Sequence, residues 1–332
     1  MLKTKIPVIL NNFKGKKIIV WGDIILDEYI YTSTGRISRE APVLVTEYEY
    51  NDLKPGGAGN VIMNLKSMGA EPIPAGFVGD DADGVELKKI LADSLIDVSN
   101  LVEVKGYKTP KKSRILSGSD NTKKQQILRI DLLNKDDIPG THVSILEKRL
   151  KNLADSADIF LVSDYLKRSV EPVMFSNVIE ELKGKTIIID SREHLLEYKG
   201  VTYATPNEPE IKNLFPGIRF DKKEDFVEAG TELLNRLNCR GIVLKRGHKG
   251  MIVFEKNKEP VNIPIYGSQN IVDVTGAGDT VISLLSLALS AGADLVLSAQ
   301  LANIGASMVV MKEGAYPLGL KEFREELGDI SF

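Results

Sequence analysis

Short apolar runs alternate along this chain with longer segments whose apolar residues recur every three or four positions. Lys16–Asp23 (KKIIVWGD) is the first run, and Ile73–Gly79, Asp158–Ser163, Thr186–Asp190, Val201–Thr205, Gly241–Arg246 and Met251–Glu255 follow. Runs this short and this apolar predict strands buried on both faces of a parallel sheet. Between them, Val61–Met68, Val85–Leu95, His142–Leu153, Val173–Leu182, Lys222–Leu237, Val281–Ala291 and Leu295–Met311 carry the helical period. The alternation predicts an α/β domain. Two stretches break it. Glu28–Asp52 is polar, alternating and rich in Tyr, Thr and Val, and Leu101–Asp131 has the same texture. Both read as β-excursions that pair into a small sheet beside the main one. No Ser/Pro-rich linker and no internal repeat divides the chain, so we expect one domain over 1–332, with lid insertions at about 29–53 and 101–131.

Composition narrows the field by exclusion. A net charge of −3 over 332 residues argues against general attraction to nucleic acid or membranes. Cys239 is the single cysteine, so no internal disulfide forms, and His142, His194 and His248 lack metal-ligand spacing. The first residues lack a signal-peptide core and no apolar run reaches membrane-spanning length, so a cytoplasmic protein is expected. Charge is uneven, however. The second excursion holds Lys105, Lys108, Lys111, Lys112, Arg114, Lys123, Lys124 and Arg129 against three acids. Most such cations are solvated surface, but beside a pocket a subset grips an anion.

The candidate chemistry gathers at segment ends. Asp273-Val274-Thr275-Gly276-Ala277-Gly278-Asp279-Thr280 joins a strand-like segment to an apolar helix. Small residues at a helix start let backbone amides approach a ligand, and unpaired amides with the positive end of the dipole bind phosphate. Asp279 falls in the first turn, where the dipole should make it a weak base at rest. A phosphate cradle beside a carboxylate suits phosphoryl transfer to a hydroxyl. Asp23 and Asp27 end the first strand as candidate acceptors for sugar hydroxyls, or as turn acids. Gly56, Gly57 and Asn60 open the next helix and permit close backbone approach. Asn207 and Glu210, taken alone, are a helix cap and its capping-box partner. Neither G-x-x-x-x-G-K-[ST] nor G-x-G-x-x-G occurs in the chain, which argues against a Walker or dinucleotide site.

Asp273–Thr280 closely resembles the second signature of the PfkB/ribokinase family of sugar kinases, and Pro55-Gly56-Gly57-Ala58-Gly59-Asn60 resembles the first. Within that family the chain is most similar to the kinases of D-glycero-D-manno-heptose 7-phosphate. Arg36-Ile37-Ser38-Arg39-Glu40-Ala41-Pro42, Gln125-Gln126-x-x-Arg129-x-Asp131 and Ser163-Asp164-Tyr165-x-Lys167 carry the likeness, which runs from about Lys16 to Pro317. The resemblance implies a ribokinase-like three-layer α/β/α sandwich with a β-sheet lid. It also implies transfer of the ATP γ-phosphate to the anomeric 1-hydroxyl, with Asp279 as base and Gly276, Ala277 and Gly278 as the anion hole. Asp23, Asp27, Gly56, Gly57 and Asn60 would hold the sugar, and Arg114, Arg129 and Lys167 its phosphate. Asn207, Lys245, Gly247, Thr275, Gly278 and Asn303 would border ATP. Glu210 would order Mg²⁺ through water, and Asp273 is the candidate for a K⁺ site found in some members.

The chain also departs from the heptose-kinase pattern. Ser191-Arg192-Glu193 stands where Pro-Lys-Gly is usual after the aspartate, and Arg168 where Gly is usual. A PfkB-family kinase for another sugar, sugar phosphate or nucleoside is therefore the alternative. No H-x-G-H adenylyltransferase motif is present, so only the kinase step is expected, and a homodimer paired through the lid.

Overall fold

The computed structural model describes residues 2–119, 123–134, 137–157, 159–267 and 272–328. Residues 120–122, expected at the lid tip, and Asp158, expected to open a strand, lie outside them. The first third of the chain comprises α1 (Leu2–Asn11), β1 (Lys17–Gly22), β2 (Ile24–Ile37), β3 (Leu44–Gly57), α2 (Ala58–Ser67), β4 (Glu71–Gly79) and α3 (Ala82–Asp93). β5 (Leu101–Val104), β6 (Lys111–Gly118), β7 (Gln125–Leu132), α4 (Gly140–Asn152), β8 (Ile159–Asp164), α5 (Pro172–Val178) and β9 (Thr186–Ser191) follow. The rest holds β10 (Tyr203–Ala204), α6 (Glu208–Leu214), α7 (Lys223–Leu237), β11 (Gly241–Lys245), β12 (Met251–Glu255), β13 (Val261–Ile263), α8 (Ala277–Ser290), α9 (Leu295–Val309) and α10 (Leu320–Gly328).

Nine strands form the large sheet, in the order β13-β12-β11-β10-β9-β8-β1-β4-β5. All neighbours from β11 to β5 run parallel, and β12 is antiparallel to both β11 and β13. Successive side chains of β1 show why the apolar runs are continuous. Ile18 and Val20 enter one core with α1, α2, α3, α8, α9 and α10, while Ile19 and Trp21 enter the other with α4, α5, α6 and α7. Both faces are covered, so every position is apolar. The architecture is a three-layer α/β/α sandwich.

The small sheet has the order β3-β2-β6-β7, with β2 and β6 parallel and the outer pairs antiparallel. One expected boundary is corrected. Leu101–Val104 is β5 of the large sheet, paired with Gly76–Gly79 of β4, so the second contribution to the small sheet begins at Lys111. Leu101, Val102 and Val104 are buried in the two cores, which draws this segment inward despite its basic surroundings. Among the described residues, no helix is long and apolar enough to cross a membrane.

Candidate active site

The site lies along the carboxyl ends of the parallel strands, where open α/β sheets place ligands. The ends of β1, β8, β9 and β11 deliver Asp23, Asp164 with Tyr165, Asp190, and Lys245 to one edge. Asp23 is almost fully buried, and its carboxylate accepts the backbone amides of Tyr165 (2.7 Å), Lys167 (2.9 Å) and Ser169 (2.8 Å). Oδ2 takes two of these amides and Oδ1 one, so both oxygens take part in clamping this loop. Its carboxyl is pushed up to about 6 by burial, partly offset by the amides. The clamped loop is strained. Leu166 (φ 62°) and Arg168 (φ 77°) both occupy the left-handed region that side chains avoid. Asp164 adds a second anchor, accepting from the Leu166 amide and from the hydroxyls of Ser191 and Tyr198. An over-determined, strained loop is the pattern found at functional sites.

That loop presents Tyr165 to Asp279. The phenol donates to Oδ1 of Asp279 at 2.6 Å, and Nδ2 of Asn60 donates to Oδ2 at 2.8 Å. Asn60 is held in turn by Asn64, whose Nδ2 reaches the Asn60 carbonyl (2.9 Å) and Oδ1 (3.2 Å). The Asn64 Oδ1 accepts from the hydroxyl of Thr280, which closes a buried polar relay between α2 and α8. Gly276 caps α8 at φ 78°, and a Cβ there would sit 2.6 Å from Asn60 Nδ2, so both conformation and space require glycine. The expectation of a weak base is corrected. Burial of Asp279 outweighs its hydrogen bonds and pushes its carboxyl up to about 6, with Asp190 adding to the rise and Lys245 opposing it. Tyr165 is held well above the usual phenol range by burial and by Asp279, so it stays protonated and donates.

On the lid side, Asp27 meets Arg114 as a buried ion pair at 3.0 Å, with the guanidinium 5.1 Å from the Tyr29 ring centroid. Gly56 lies so close that a Cβ would stand 2.5 Å from the Asp27 carboxylate, and Gly57 takes φ 58° as the cap of α2. Among the described residues, neither Asp27 Oδ1 nor Arg114 Nη1 makes a well-directed hydrogen bond. Buried polar atoms in that state suit a ligand hydroxyl. Lys112 Nζ and Arg192 Cζ lie 5.2 and 4.6 Å from the Tyr165 ring centroid. Burial holds Lys112 below the usual lysine range, although Asp27 opposes this. Arg129 is exposed and bonded to Asp131, and the Lys167 backbone amide serves Asp23.

On the other side of Asp279 lies a cavity of about 560 Å³, the right size for a nucleotide. Asn207, Lys245, Gly247, Gly278 and Asn303 line it; Thr275 does not. Lys245 bonds Asp190 at 2.7 Å; burial alone would lower it, but Asp190 and Glu210 hold it above the usual range. Asn207 and Glu210 form a capping box, and both Glu210 oxygens accept from Asn207. Burial and Asp190 push Glu210 up to about 7. Asn303 donates to the Pro264 carbonyl at 2.8 Å. The oxygens of Asp273 accept the amides of Thr275 and Gly314, so this carboxylate braces the loop before α8. Among the described residues no three His, Cys, Asp or Glu side chains group as metal ligands.

Sequence reasoning missed Tyr165, Lys112, Arg192, Asn64 and Asp190 as parts of this site. Tyr165 left a signal inside a motif string, Arg192 at a departure from it, and Lys112 as one of the cations of the basic excursion.

A family model described as pfkB family carbohydrate kinase matches residues 16–321. Bifunctional protein HldE of Syntrophotalea carbinolica is 35% identical over 330 residues, covering 98% of this chain and 66% of that protein. HldE of Haemophilus influenzae is 33% identical over 316 residues, covering 95% and 64%. The chain thus spans less than two thirds of the length of these relatives. Among solved structures, Arabidopsis thaliana ribokinase complexed with ribose and ATP superposes with a TM-score of 0.71 at 19% identity, over 96% of this chain and all of that one. Escherichia coli phosphofructokinase-2 in complex with potassium gives 0.76 at 17%, over 95% and 98%. The fold is ribokinase-like, the part of HldE that is matched is its kinase part, and this chain belongs to the pfkB family of carbohydrate kinases, phosphotransferases that act on sugar hydroxyls.

Proposed function

We propose that this kinase transfers the γ-phosphate of ATP to the 1-hydroxyl of D-glycero-β-D-manno-heptose 7-phosphate, giving the 1,7-bisphosphate of the ADP-heptose route. The observation that carries the substrate reading is the pair Lys112 and Arg192. They flank Tyr165, whose hydroxyl touches Asp279, and among the described residues neither has a carboxylate within ion-pair distance. Two cations without a direct ion pair beside the base of an acidic protein suit a substrate that already bears a phosphate. Arg114 and Arg129, expected in that role, are occupied by Asp27 and Asp131. The likeness to HldE supports the same reading.

In this proposal Asp27, Arg114 and the backbone at Gly56 and Gly57 receive the sugar, with Asn60 and Tyr165 fixing Asp279. Asp279 takes the proton of the acceptor hydroxyl, and the amides at Gly276, Ala277 and Gly278 meet the transferring phosphoryl. Lys245 and the cavity it lines receive ATP. Mg²⁺ bound through water to Glu210 fits the donor set, because a divalent cation offsets the charge that burial and Asp190 make costly at Glu210. Potassium beside Asp273 would meet a carboxylate whose oxygens each accept one amide, as the Glu210 oxygens each accept from Asn207. The exposed apolar side chains of the small sheet, including Leu44, Leu128 and Ile130, fit a homodimer paired through the lid, with the reaction in the cytoplasm.

ADP release with ATP and Mg²⁺ tests the reading against heptose 7-phosphate, sedoheptulose 7-phosphate, fructose 6-phosphate, ribose and adenosine. Selective turnover of heptose 7-phosphate is expected. Selective turnover of ribose or adenosine would leave the kinase and discard the phosphate grip.

A further inference from the structure

We propose that Tyr165 is a positioning residue for the transfer. Its hydroxyl fixes one oxygen of Asp279, and its ring ties that carboxylate to the lid. The inference rests on the reading of Asp279 as base and goes beyond it, because it gives Tyr165 a role that acts through Asp279. Geometry carries it. Asp279 is bound on both oxygens, by Tyr165 on Oδ1 and Asn60 on Oδ2, so its remaining lone pairs have fixed directions. Neither bond is a chance contact. Tyr165 is held by a loop whose amides are spent on Asp23, and Asn60 by Asn64. The ring faces of Tyr165 carry Lys112, from β6 of the lid, and Arg192, from the segment after β9. A phenol so placed sits at the boundary between lid and core.

The titratable groups that act on Asp279 are Tyr165 from the loop after β8, Asp190 from β9, Lys245 from β11 and Lys112 from β6. Of these, only Tyr165 bonds the carboxylate directly, and a bond to the charged form favours ionisation. Removing the hydroxyl while keeping the ring therefore makes Asp279 harder to ionise, at unchanged lid contacts.

The test compares wild type with Tyr165→Phe and with 3-fluorotyrosine at 165, a stronger donor of nearly the same shape. The Asp279 carboxyl is titrated by ¹³C NMR, its signal identified by its loss in Asp279→Asn, and kcat/KM is followed against pH with the best acceptor. For Tyr165→Phe we expect the Asp279 titration and the acid limb of kcat/KM to move up together by about one unit. At acid pH that is about a tenfold loss, with KM for ATP unchanged. Fluorotyrosine should move both in the opposite direction. A purely structural role predicts a uniform fall in kcat with the titration unmoved in both variants, and that result would overturn the proposal. Absence of turnover by wild type with every acceptor would sink the functional reading alone, because the titration is read without catalysis.

Discussion

Replacing Asp279 by asparagine separates the chemical and the energetic roles of one buried carboxylate. Loss of a general base costs about 10²–10⁴ in rate. The stability term has the opposite sign. Burial moves this carboxyl from 3.8 to about 6, so holding it charged at pH 7 costs about two units, or ~3 kcal/mol. A neutral amide relieves that cost. Against it, the amide oxygen can still accept from Tyr165, but the amide nitrogen would face Asn60 Nδ2, now 2.8 Å from Oδ2. Flipping Asn60 only moves the conflict to Asn64, whose Nδ2 lies 3.2 Å from Asn60 Oδ1. One buried donor is left unmatched, at ~1–3 kcal/mol. The variant should therefore be as stable as wild type at pH 7, or more stable by up to ~2 kcal/mol, while kcat falls at least a hundredfold.

The pH dependence fixes the sign. A carboxyl whose folded value is raised binds its proton more readily when folded, so its stabilising effect is fully present below 3.8 and lost as pH rises through about 6. The variant's relative advantage should thus be present at pH 7 and shrink steadily toward pH 4. Asp23 titrates with the same sign, but it is common to both proteins and cancels in the difference. Urea unfolding at pH 7 and pH 4.5, run beside ADP release, reads both terms. A loss of several kcal/mol in stability at pH 7, or near-normal turnover, would refute the reasoning.

Other substitutions probe the surroundings. Arg168→Gly should stabilise the protein by ~0.5–1 kcal/mol in urea unfolding, because it relieves a left-handed side chain whose exposed pairs with Asp137 and Glu171 contribute little. Destabilisation would mean that those pairs hold the loop. Arg114→Met should cost ~3–5 kcal/mol by stranding Asp27, and adding Asp27→Leu should recover most of it; a cost below ~1 kcal/mol for the single change would contradict a buried pair. Gly276→Ala places a Cβ against Asn60 and should lower kcat far more than it raises KM for ATP; equal effects on both would show a general loss of the nucleotide cavity instead.

The large sheet was legible because burial on both faces leaves unbroken apolar runs, as at Lys17–Gly22. β5 was not, since four residues among lysines carry too little pattern to separate them from the lid. At the site, the glycine-rich start of α8 could be read because its backbone demands it. Asp23 and Asp27 could not be told apart. They lie four residues apart in one apolar stretch, and only the bend between β1 and β2 turns Asp23 toward amides while Asp27 enters the lid. Tyr165 owes its place to a left-handed Leu166, a conformation that nothing in a leucine announces. The elevated Asp279 carboxyl reflects depth of burial, which a first-turn position alone cannot convey.

Where β2 and β3 leave the large domain, the small sheet has no hinge. A single residue, Asp23, separates β1 from β2, and β3 passes into α2 without an intervening turn. The β2–β3 pair behaves as a cantilever: tilting its outer end must twist the two places where that pair is rooted. One root is Asp23, which grips the loop that carries Tyr165, and the other lies two residues before Asn60. Those are the two partners of the Asp279 carboxylate. Tilting this pair of strands would thus pull on both ends of the bracket that holds the Asp279 carboxylate.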